Sequence, residues 1–293
     1  MMRFAYYPGC SLDATARPYG ESVNAVAALL GMELVEIEDW NCCGATAYMA
    51  VNEVLSFCLS ARNLSQAART GGTLVTPCNA CFTNLRKTEA YLVAFPEMKK
   101  KVDTALAEAN MRYEGGVVTK HLLQAMVEDV GLEEIRSRVK RPLTGLRVAP
   151  YYGCQIVRPY GIEDDTDNPM MLDRLLGVLG ATPTYYPMKT FCCGGSLMGT
   201  KEEVALRLCR NLLLCAKQDG ADCIAVACPL CQINLDAYQA TINEHYGTDF
   251  HLPIVYFTQL MGLAFGLKST ELGLQRCIVP AADVVSRFAE VNS

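Results

Sequence analysis

The sequence lacks the marks of several protein classes. Its net charge of −5 provides no basic excess with which to bind nucleic acid. No apolar run reaches the roughly 18 residues that a membrane-spanning helix needs. The nearest candidate, from Ile254 to Leu267, stops at Lys268 and predicts a buried helix. We therefore expect no nucleic-acid partner and no membrane span.

Signals for export and for nucleotide cofactors are also missing. The first residues lead directly into a predicted strand, so we expect no signal peptide and a cytoplasmic location. No glycine-rich phosphate loop is present, because Gly194 to Gly199 continues a cysteine motif. The 3 histidines, His121, His245 and His251, lie outside the motifs, and we expect them at surface or capping positions.

Cysteine, in contrast, is abundant, with 15 residues in 293. A reducing compartment makes a disulfide framework unsuitable, and cysteine spacings there favour metal or redox chemistry. Ten of the cysteines form two copies of one pattern: a single cysteine, a Cys-Cys-Gly and a Cys-x-x-Cys. The first copy comprises Cys10, Cys42, Cys43, Cys78 and Cys81, and the second comprises Cys154, Cys192, Cys193, Cys228 and Cys231.

The repeat extends beyond cysteine and predicts an old duplication. Arg-Asn-Leu recurs at 62–64 and 210–212, and Asn-Leu recurs at 84–85 and 234–235. We predict an α/β fold of two pseudo-symmetric halves, each a small parallel sheet with flanking helices and a five-cysteine site. The predicted domains are 1–142 and 143–293, joined within 136–144. The first includes an insertion, about 95–134, predicted as two surface helices.

The predicted elements place the cysteines together. Predicted strands cover residues 3–7, 33–38, 73–76, 147–151, 184–186 and 223–227, and predicted helices cover 18–30, 48–69, 170–179 and 201–218. Every cysteine group falls at or just after a strand end. Because sites in parallel sheets form beyond the carboxyl ends of the strands, we expect each set of five at one sheet edge.

Five thiols in one place are typical of a metal centre. Thiolates are soft ligands that suit zinc and iron–sulfur clusters, and a helix that starts at Cys-x-x-Cys stabilises their negative charge. Five sulfurs exceed the four of a structural zinc, and adjacent cysteines diverge. The alternatives are zinc in one half, held by four of the five, a thioredoxin-like dithiol, and inert core packing.

The remaining cysteines lack counterparts between the halves. We expect them to pack in the core, and they are Cys58, Cys209, Cys215, Cys223 and Cys277. Three basic residues lie close to the motifs and are candidates for binding an anionic substrate, although we expect them to be solvated: Arg17, Arg158 and Lys189.

The order Cys, Cys-Cys-Gly and Cys-x-x-Cys resembles the cysteine-rich CCG domain. Two such domains filling the chain resemble the catalytic B subunit of heterodisulfide reductase. The resemblance implies one noncubane [4Fe-4S] cluster in each domain, held by the five motif cysteines. It further implies reduction of a disulfide to two thiols, for example the coenzyme M–coenzyme B heterodisulfide of methanogens or a bacterial equivalent.

The same resemblance implies partners. Electrons would come from a ferredoxin-like C subunit, itself fed by a flavin-containing A subunit, often in an electron-bifurcating complex. A different possibility is an iron–sulfur electron-transfer subunit of another oxidoreductase complex, one that acts on hydroxy acids or dicarboxylates without disulfide chemistry. A zinc-stabilised scaffold is a third.

Overall fold

The computed structural model describes residues 2–45 and 48–288. Residues 1, 46, 47 and 289–293 fall within the predicted domain bounds but lie outside the described part. The described residues form two four-stranded parallel sheets with the same strand order, β2-β1-β3-β4 and β6-β5-β7-β8. The predicted α/β class with two pseudo-symmetric halves is confirmed.

The strands of the first sheet are β1 Met2–Tyr6, β2 Met32–Glu36, β3 Thr73–Thr76 and β4 Val118–His121. Those of the second are β5 Arg147–Tyr151, β6 Thr182–Pro183, β7 Cys223–Val226 and β8 Ile254–Tyr256. In each half the first strand lies second in the sheet, and the next strand along the chain lies beside it at the edge. The chain then crosses back to the other side of the first strand, where the last two strands lie. Such a reversal of direction is where open α/β sheets form their sites.

Helices connect the strands in both halves. The first half contains α1 Arg17–Leu29, α2 Tyr48–Val51, α3 Glu53–Thr70, α4 Asn79–Ala94, α5 Pro96–Ala107, α6 Leu122–Gln124, a π-helix Ala125–Gly131 and α7 Leu132–Arg138. The second contains α8 Met171–Val178, α9 Glu202–Gln218, α10 Pro229–Ala237, α11 Gln239–Tyr246, α12 Phe257–Ala264 and α13 Ala282–Phe288, with 3-10 turns at Gly195–Gly199 and Leu274–Arg276. The predicted join, 136–144, overlaps the end of α7 and stops before β5. The domain bounds stay a prediction.

The structure corrects four of the predicted elements. Residues 95–134 are not two surface helices, because β4 joins the first sheet as its edge strand. Ile254 opens a strand, β8, before the chain turns helical at Phe257. The predicted strand 184–186 begins too late, since β6 ends at Pro183. The predicted helix 48–69 is broken at Asn52, whose side chain caps α3 by accepting from the Leu55 N–H.

The hydrophobic core lies between the sheets and their helices. All four residues of β7 are buried, as expected for a strand covered on both faces. Helix α9 has one buried apolar stripe, formed by Ala205, Leu206, Cys209, Leu212, Leu213 and Ala216. The spacing of these residues, three or four apart, is the helical period that made α9 predictable.

The two halves pack through helices related by the pseudo-twofold. Helix α12, which follows the last strand of the second half, packs on α1 of the first. In the equivalent place α6 and α7, which follow the last strand of the first half, pack on α8 of the second. A buried hydrogen bond of 2.7 Å joins the Ser22 and Thr258 hydroxyls across the α1–α12 contact. Because Ser22 donates to the Tyr19 carbonyl, Thr258 is the donor of that bond.

Replacement of Thr258 by valine should weaken this contact. The variant T258V keeps the side-chain shape but removes the donor to Ser22, and we expect the free energy of unfolding to fall by about 1 kcal/mol. Anaerobic urea unfolding followed by circular dichroism measures it. The control is T104V, where the exposed hydroxyl bonds only the Lys100 carbonyl of its own helix. Equal losses in the two variants would contradict the role of the Ser22–Thr258 bond.

Candidate metal centres

The strand ends deliver the motif cysteines to one edge of each sheet. In the first half Cys10 follows β1, Cys42 and Cys43 follow β2, and Cys78 follows β3 as the N-cap residue of α4. The second half repeats this, with Cys228 as the N-cap residue of α10. Both Cys-x-x-Cys motifs therefore start helices as predicted, and the first-turn N–H groups of α4 and α10 favour negative charge there.

The contacts within the first set run from the surface inwards. The Cys10 and Cys42 thiols lie close enough to shift each other's pKa, and both side chains are exposed. Cys42 also interacts with the buried Cys43. Below them, the buried Sγ atoms of Cys43 and Cys81 lie 3.4 Å apart, and Cys81 also contacts Cys78. The set thus has an outer pair at the surface and three inner cysteines.

The second set repeats the outer and the inner contacts. Its outer pair is Cys154 and Cys192, of which Cys192 is exposed. The Sγ atoms of Cys193 and Cys231 are again 3.4 Å apart, and Cys231 contacts Cys228. The structure therefore brings together all five predicted cysteines in each half, in the same arrangement.

The two sets meet each other at the pseudo-twofold. The thiols of Cys78 and Cys228 lie close enough to shift each other's pKa, although the residues belong to different halves. Both side chains are buried. The inner cysteines of the two sets consequently form one continuous buried group of six thiols, with an outer pair at either side.

Equivalent residues of the two halves hold the Cys-Cys turns. The side-chain amides of Asn84 and Asn234 donate to the carbonyls of Cys43 and Cys193, the latter bond being 3.2 Å long. The repeated Asn-Leu after each Cys-x-x-Cys was the sequence signal for this role. The buried Tyr7 and Tyr151 hydroxyls donate at 2.8 Å and 2.7 Å to the carbonyls of the residues before each Cys-Cys pair.

Glycines leave space for the sulfur atoms. A Cβ atom placed on Gly9 would lie 3.0 Å from the Cys81 Sγ, and one on Gly153 would lie 3.1 Å from the Cys231 Sγ. Both glycines have a positive φ, which other residues rarely adopt. Gly194 is more constrained still, because its Cβ would come within 2.8 Å of Ala205. These positions need glycine for the backbone to pass close to the thiols.

Contacts between the thiols give them different pKa values. Donation from Cys10 lowers the pKa of Cys42, and donation from Cys154 lowers the pKa of Cys192 to about 6. The Gly194 N–H supports this second shift with a bond of 3.3 Å to the Cys192 Sγ. Cys81 behaves differently, since hydrogen bonding to Cys43 and burial raise its pKa. Metal binding at Cys81 must therefore displace a proton.

Of the three basic candidate residues, Lys189 differs from its prediction. Lys189 is buried, with 6% of its surface exposed, and its Nζ bonds Asp173 at 3.2 Å and the Pro169 carbonyl at 2.6 Å, so the expected solvation is wrong. Arg17 is exposed as expected. The guanidinium of Arg158 is half-exposed and donates to the Thr190 carbonyl near Cys192. The substrate-binding role of these three residues stays a prediction.

The histidines and the five cysteines outside the two sets were also assigned expected positions. His245 and His251 are exposed, and His121 caps α6 as one of the expected roles, although it is fully buried. Cys209 and Cys223 are buried, and Cys58, Cys215 and Cys277 are half-buried. Cys209 was expected only to pack, but its thiol also donates to the Cys193 carbonyl at 3.2 Å. No sequence signal marks this contact of Cys209 with the Cys-Cys turn.

The donor set bears on which metal group would fit. Each site offers five sulfur ligands from three strand ends. Among residues 2–45 and 48–288, no three His, Cys, Asp or Glu side chains converge so that one metal ion could bind them all. A cluster with several iron atoms does not need its ligands to converge on one point, and thiolates are the ligands that such clusters take. The sulfur-only donor sets therefore fit an iron–sulfur cluster.

Comparison with protein-family models gives a match that covers both halves. The model described as a cysteine-rich domain, CCG, matches residues 4–86 and 148–236. The chain belongs to this family. The resemblance to the B subunit of heterodisulfide reductase is also confirmed, and with it the place of the chain among iron–sulfur oxidoreductase subunits.

Curated relatives match along almost the whole chain. The B subunit of a ferredoxin/F(420)H(2)-dependent CoB-CoM heterodisulfide reductase of Methanosarcina acetivorans is 28% identical, covering 100% of this chain and 99% of the relative. A protein of Archaeoglobus profundus, named as similar to the heterodisulfide reductase B subunit, is 29% identical, covering 99% of both. The 8-methylmenaquinol:fumarate reductase membrane anchor subunit of Wolinella succinogenes is 34% identical, covering 95% of this chain and 97% of the relative.

A solved structure shares the fold. The crystal structure of a hypothetical protein from Helicobacter pylori matches with a TM-score of 0.76 at 15% identity, covering 95% of this chain. This chain spans about half of that longer one, 52% of its length. Within the described ranges, no helix of the present chain has both the length and the apolar character to cross a membrane.

Alkylation of the metal-free protein should report the acidity of the outer cysteines. Because Cys192 accepts from Cys154 and has a pKa of about 6, its thiolate persists to lower pH than an ordinary thiol. We expect it to react at least about tenfold faster with iodoacetamide at pH 6 than Cys58, whose pKa is raised by burial. Peptide mapping by mass spectrometry measures both rates. A Cys192 rate that already falls steeply between pH 8 and pH 7 would contradict the hydrogen-bonded arrangement.

Proposed function

We propose that this chain is the catalytic subunit of a heterodisulfide reductase-like complex that reduces a disulfide to two thiols at two noncubane [4Fe-4S] clusters. One cluster would be held by Cys10, Cys42, Cys43, Cys78 and Cys81. The other would be held by Cys154, Cys192, Cys193, Cys228 and Cys231. When bound, each cluster supplies one-electron redox chemistry and a site at which a sulfur can be captured. Zinc in one half is the lesser alternative.

The contact between Cys78 and Cys228 carries this proposal. Reductive cleavage of a disulfide consumes two electrons and two protons and gives two thiols. Two redox centres close together can each supply one of these electrons. The interaction between the Cys78 and Cys228 thiols joins the two cysteine sets at the pseudo-twofold. Two centres held by these sets would be immediate neighbours.

The exposure of the outer pairs supports access for a small molecule. Cys10, Cys42 and Cys192 are exposed, whereas the six inner cysteines are buried. A small disulfide can approach the outer pairs, while Tyr7 and Tyr151, which bond the Cys-Cys turns, are fully buried. Each set therefore has a solvent-facing outer pair and a buried inner part.

Partners and location follow from the same proposal. Relatives are named as subunits, so we place this chain in a multi-subunit complex. We propose a ferredoxin-like C subunit as electron donor and a flavin-containing A subunit upstream of it, in the cytoplasm. The substrate would be the coenzyme M–coenzyme B heterodisulfide or a bacterial equivalent.

A second candidate is an electron-transfer subunit of another oxidoreductase complex, without disulfide chemistry. It is favoured by the 34% identity to the fumarate reductase subunit of Wolinella succinogenes, since fumarate is a dicarboxylate. In that role the joined cysteine sets would be a two-centre path for electrons. The exposed outer pairs would then face a partner subunit rather than a substrate.

Turnover separates the two functions. The cluster-loaded protein, prepared without oxygen, is mixed with reduced methyl viologen and the coenzyme M–coenzyme B heterodisulfide. We expect two viologens to be oxidised for each disulfide consumed, with two thiols formed, because each viologen donates one electron. Absorbance and thiol assay measure the ratio. Reducible clusters without any disulfide consumption, for this and for simple low-molecular-weight disulfides, would select the electron-transfer role instead.

Matched cysteine variants control the turnover experiment. The variant C78A removes an inner thiol at the pseudo-twofold, and turnover should fall at least about a hundredfold because a ligand is lost. The variant C58A alters a half-buried cysteine outside both sets and should leave turnover within about twofold. Similar activities of the two variants would show that the reaction does not take place at the cysteine sets.

A further inference from the structure

The helix that follows each Cys-Cys-Gly turn donates a side-chain hydrogen bond to the second cysteine of that turn. In the first half the Ser60 hydroxyl of α3 donates to the Cys43 carbonyl at 2.9 Å. In the second half the Cys209 thiol of α9 donates to the Cys193 carbonyl at 3.2 Å. Both donor residues have 0% of their surface exposed, so bulk water does not compete for either bond.

Ser60 and Cys209 occupy equivalent positions in their helices. A Cβ atom placed on the glycine of each Cys-Cys-Gly turn would contact Ser56 in the first half and Ala205 in the second. Ser60 and Cys209 each follow these residues by one helical turn and therefore lie on the same helix face. The same alignment pairs three buried apolar positions, which are Phe57 with Leu206, Leu64 with Leu213 and Ala67 with Ala216.

The hydrogen bonds at the first turn form a connected network. The Asn84 side-chain amide donates to the Cys43 carbonyl and also to the Ser60 Oγ, the second bond being 3.0 Å long. Because the Ser60 oxygen accepts from Asn84 while its own proton goes to Cys43, the two bonds polarise and strengthen each other. The Ser56 hydroxyl adds a bond of 3.2 Å to the Gly44 carbonyl. Two hydroxyls therefore hold two consecutive carbonyls of this turn.

The donors at the second turn are weaker. Ala205 has no side-chain donor, and the thiol of Cys209 is a weak donor compared with a hydroxyl. The Asn234 side-chain amide donates to the Cys193 carbonyl at 3.2 Å and to the Gly195 carbonyl at 2.9 Å, and it lies 3.8 Å from the Cys193 Sγ. The asparagine is thus common to the two halves, whereas the two hydroxyls of the first turn are replaced by a methyl group and a thiol.

We propose that Ser60 and Cys209 are positioning residues that adjust the reduction potentials of the two centres separately, through a strong donor at the first set and a weak donor at the second. This inference rests on the proposed function only in so far as each set holds an iron–sulfur cluster. A donor at the carbonyl of a ligand cysteine offsets the negative charge of that carbonyl oxygen. An electron added to the neighbouring cluster is then better stabilised, because hydrogen bonds to ligand residues tune a metal centre.

Substitutions at Ser60 test the first half. The variant S60A removes the donor, and we expect one centre to become harder to reduce by about tenfold at fixed potential, a shift of about 59 mV for one electron. The variant S60C supplies the weaker donor of the second half and should shift the same centre in the same direction by about threefold. The control is S65A, which removes a buried hydroxyl of the same helix that donates to the Arg112 carbonyl at 2.7 Å. It should leave both potentials unchanged.

Substitutions at Cys209 test the second half. The variant C209S places a hydroxyl at the Cys193 carbonyl, and the other centre should become easier to reduce by about threefold. The variant C209A removes the donor and should shift that centre in the opposite direction. Loss of packing alone would not give opposite signs for these two variants. The control is C215S, because the Cys215 thiol lies on the same helix but bonds Asp219 at 3.7 Å.

Redox titration of the cluster-loaded full chain, prepared without oxygen and followed by EPR, measures these shifts. The Ser60 variants should move one signal and the Cys209 variants the other. If S60A does not incorporate clusters, S60C and C209S decide the question. Shifts in the Ser60 variants no larger than the shift in S65A would overturn the proposal. Shifts of the same sign in C209S and C209A, or a single signal that responds to both positions, would overturn it as well.

The outcome is distinguishable from that of the proposed function, because no disulfide is present during the titration. Clusters that respond to Ser60 and Cys209 but consume no disulfide would overturn only the proposed function. Clusters that turn over a disulfide but whose potentials ignore both residues would overturn only this inference. A chain that binds no iron–sulfur cluster would overturn both.

Discussion

The structure depends on bringing thiols from six strand ends to one place. Parallel strands end at the same sheet edge, so a half with the order β2-β1-β3-β4 collects cysteines from three connections without long loops. The pseudo-twofold then sets the two edges against each other, and Cys78 meets Cys228. The packing of α12 on α1, and of α6 and α7 on α8, holds the edges in this position. These helices, although distant from the cysteines, thus keep the two cysteine sets in contact.

The two halves have similar backbone structures, but some side chains around the cysteine sets differ between them. Both halves keep the outer pair, the 3.4 Å contact between inner sulfurs, and the tyrosine and asparagine supports. Around this frame the halves differ. His121, Thr76 and Asn79 of the first half correspond to Tyr256, Val226 and Pro229 in the second. Two centres in such unequal surroundings would not have equal reduction potentials, which suits the passage of electrons in one direction.

Much of this arrangement could be predicted from the sequence. The spacing of Cys10, Cys42 and Cys78 relative to the strands predicted a common edge, because strand ends constrain the residues that follow them. The short edge strands could not be predicted in the same way. Apolar and polar residues alternate only weakly in Val118–His121, and Ile254–Tyr256 runs directly into an apolar helix. Hydrophobic periodicity therefore does not separate strand from helix in either segment.

Long-range contacts could not be predicted from the sequence either. Lys189 is buried because Asp173 and the Pro169 carbonyl, 16 and 20 residues away, satisfy its charge. The contact of Cys78 with Cys228 depends on how two halves dock, which no local pattern encodes.

Anomalous diffraction at the iron edge, from crystals grown without oxygen, tests the account most directly. The expected map contains two iron clusters on either side of the pseudo-twofold, each bordered by its five cysteines. Anomalous signal at the zinc edge alone, or iron in neither set, would contradict it.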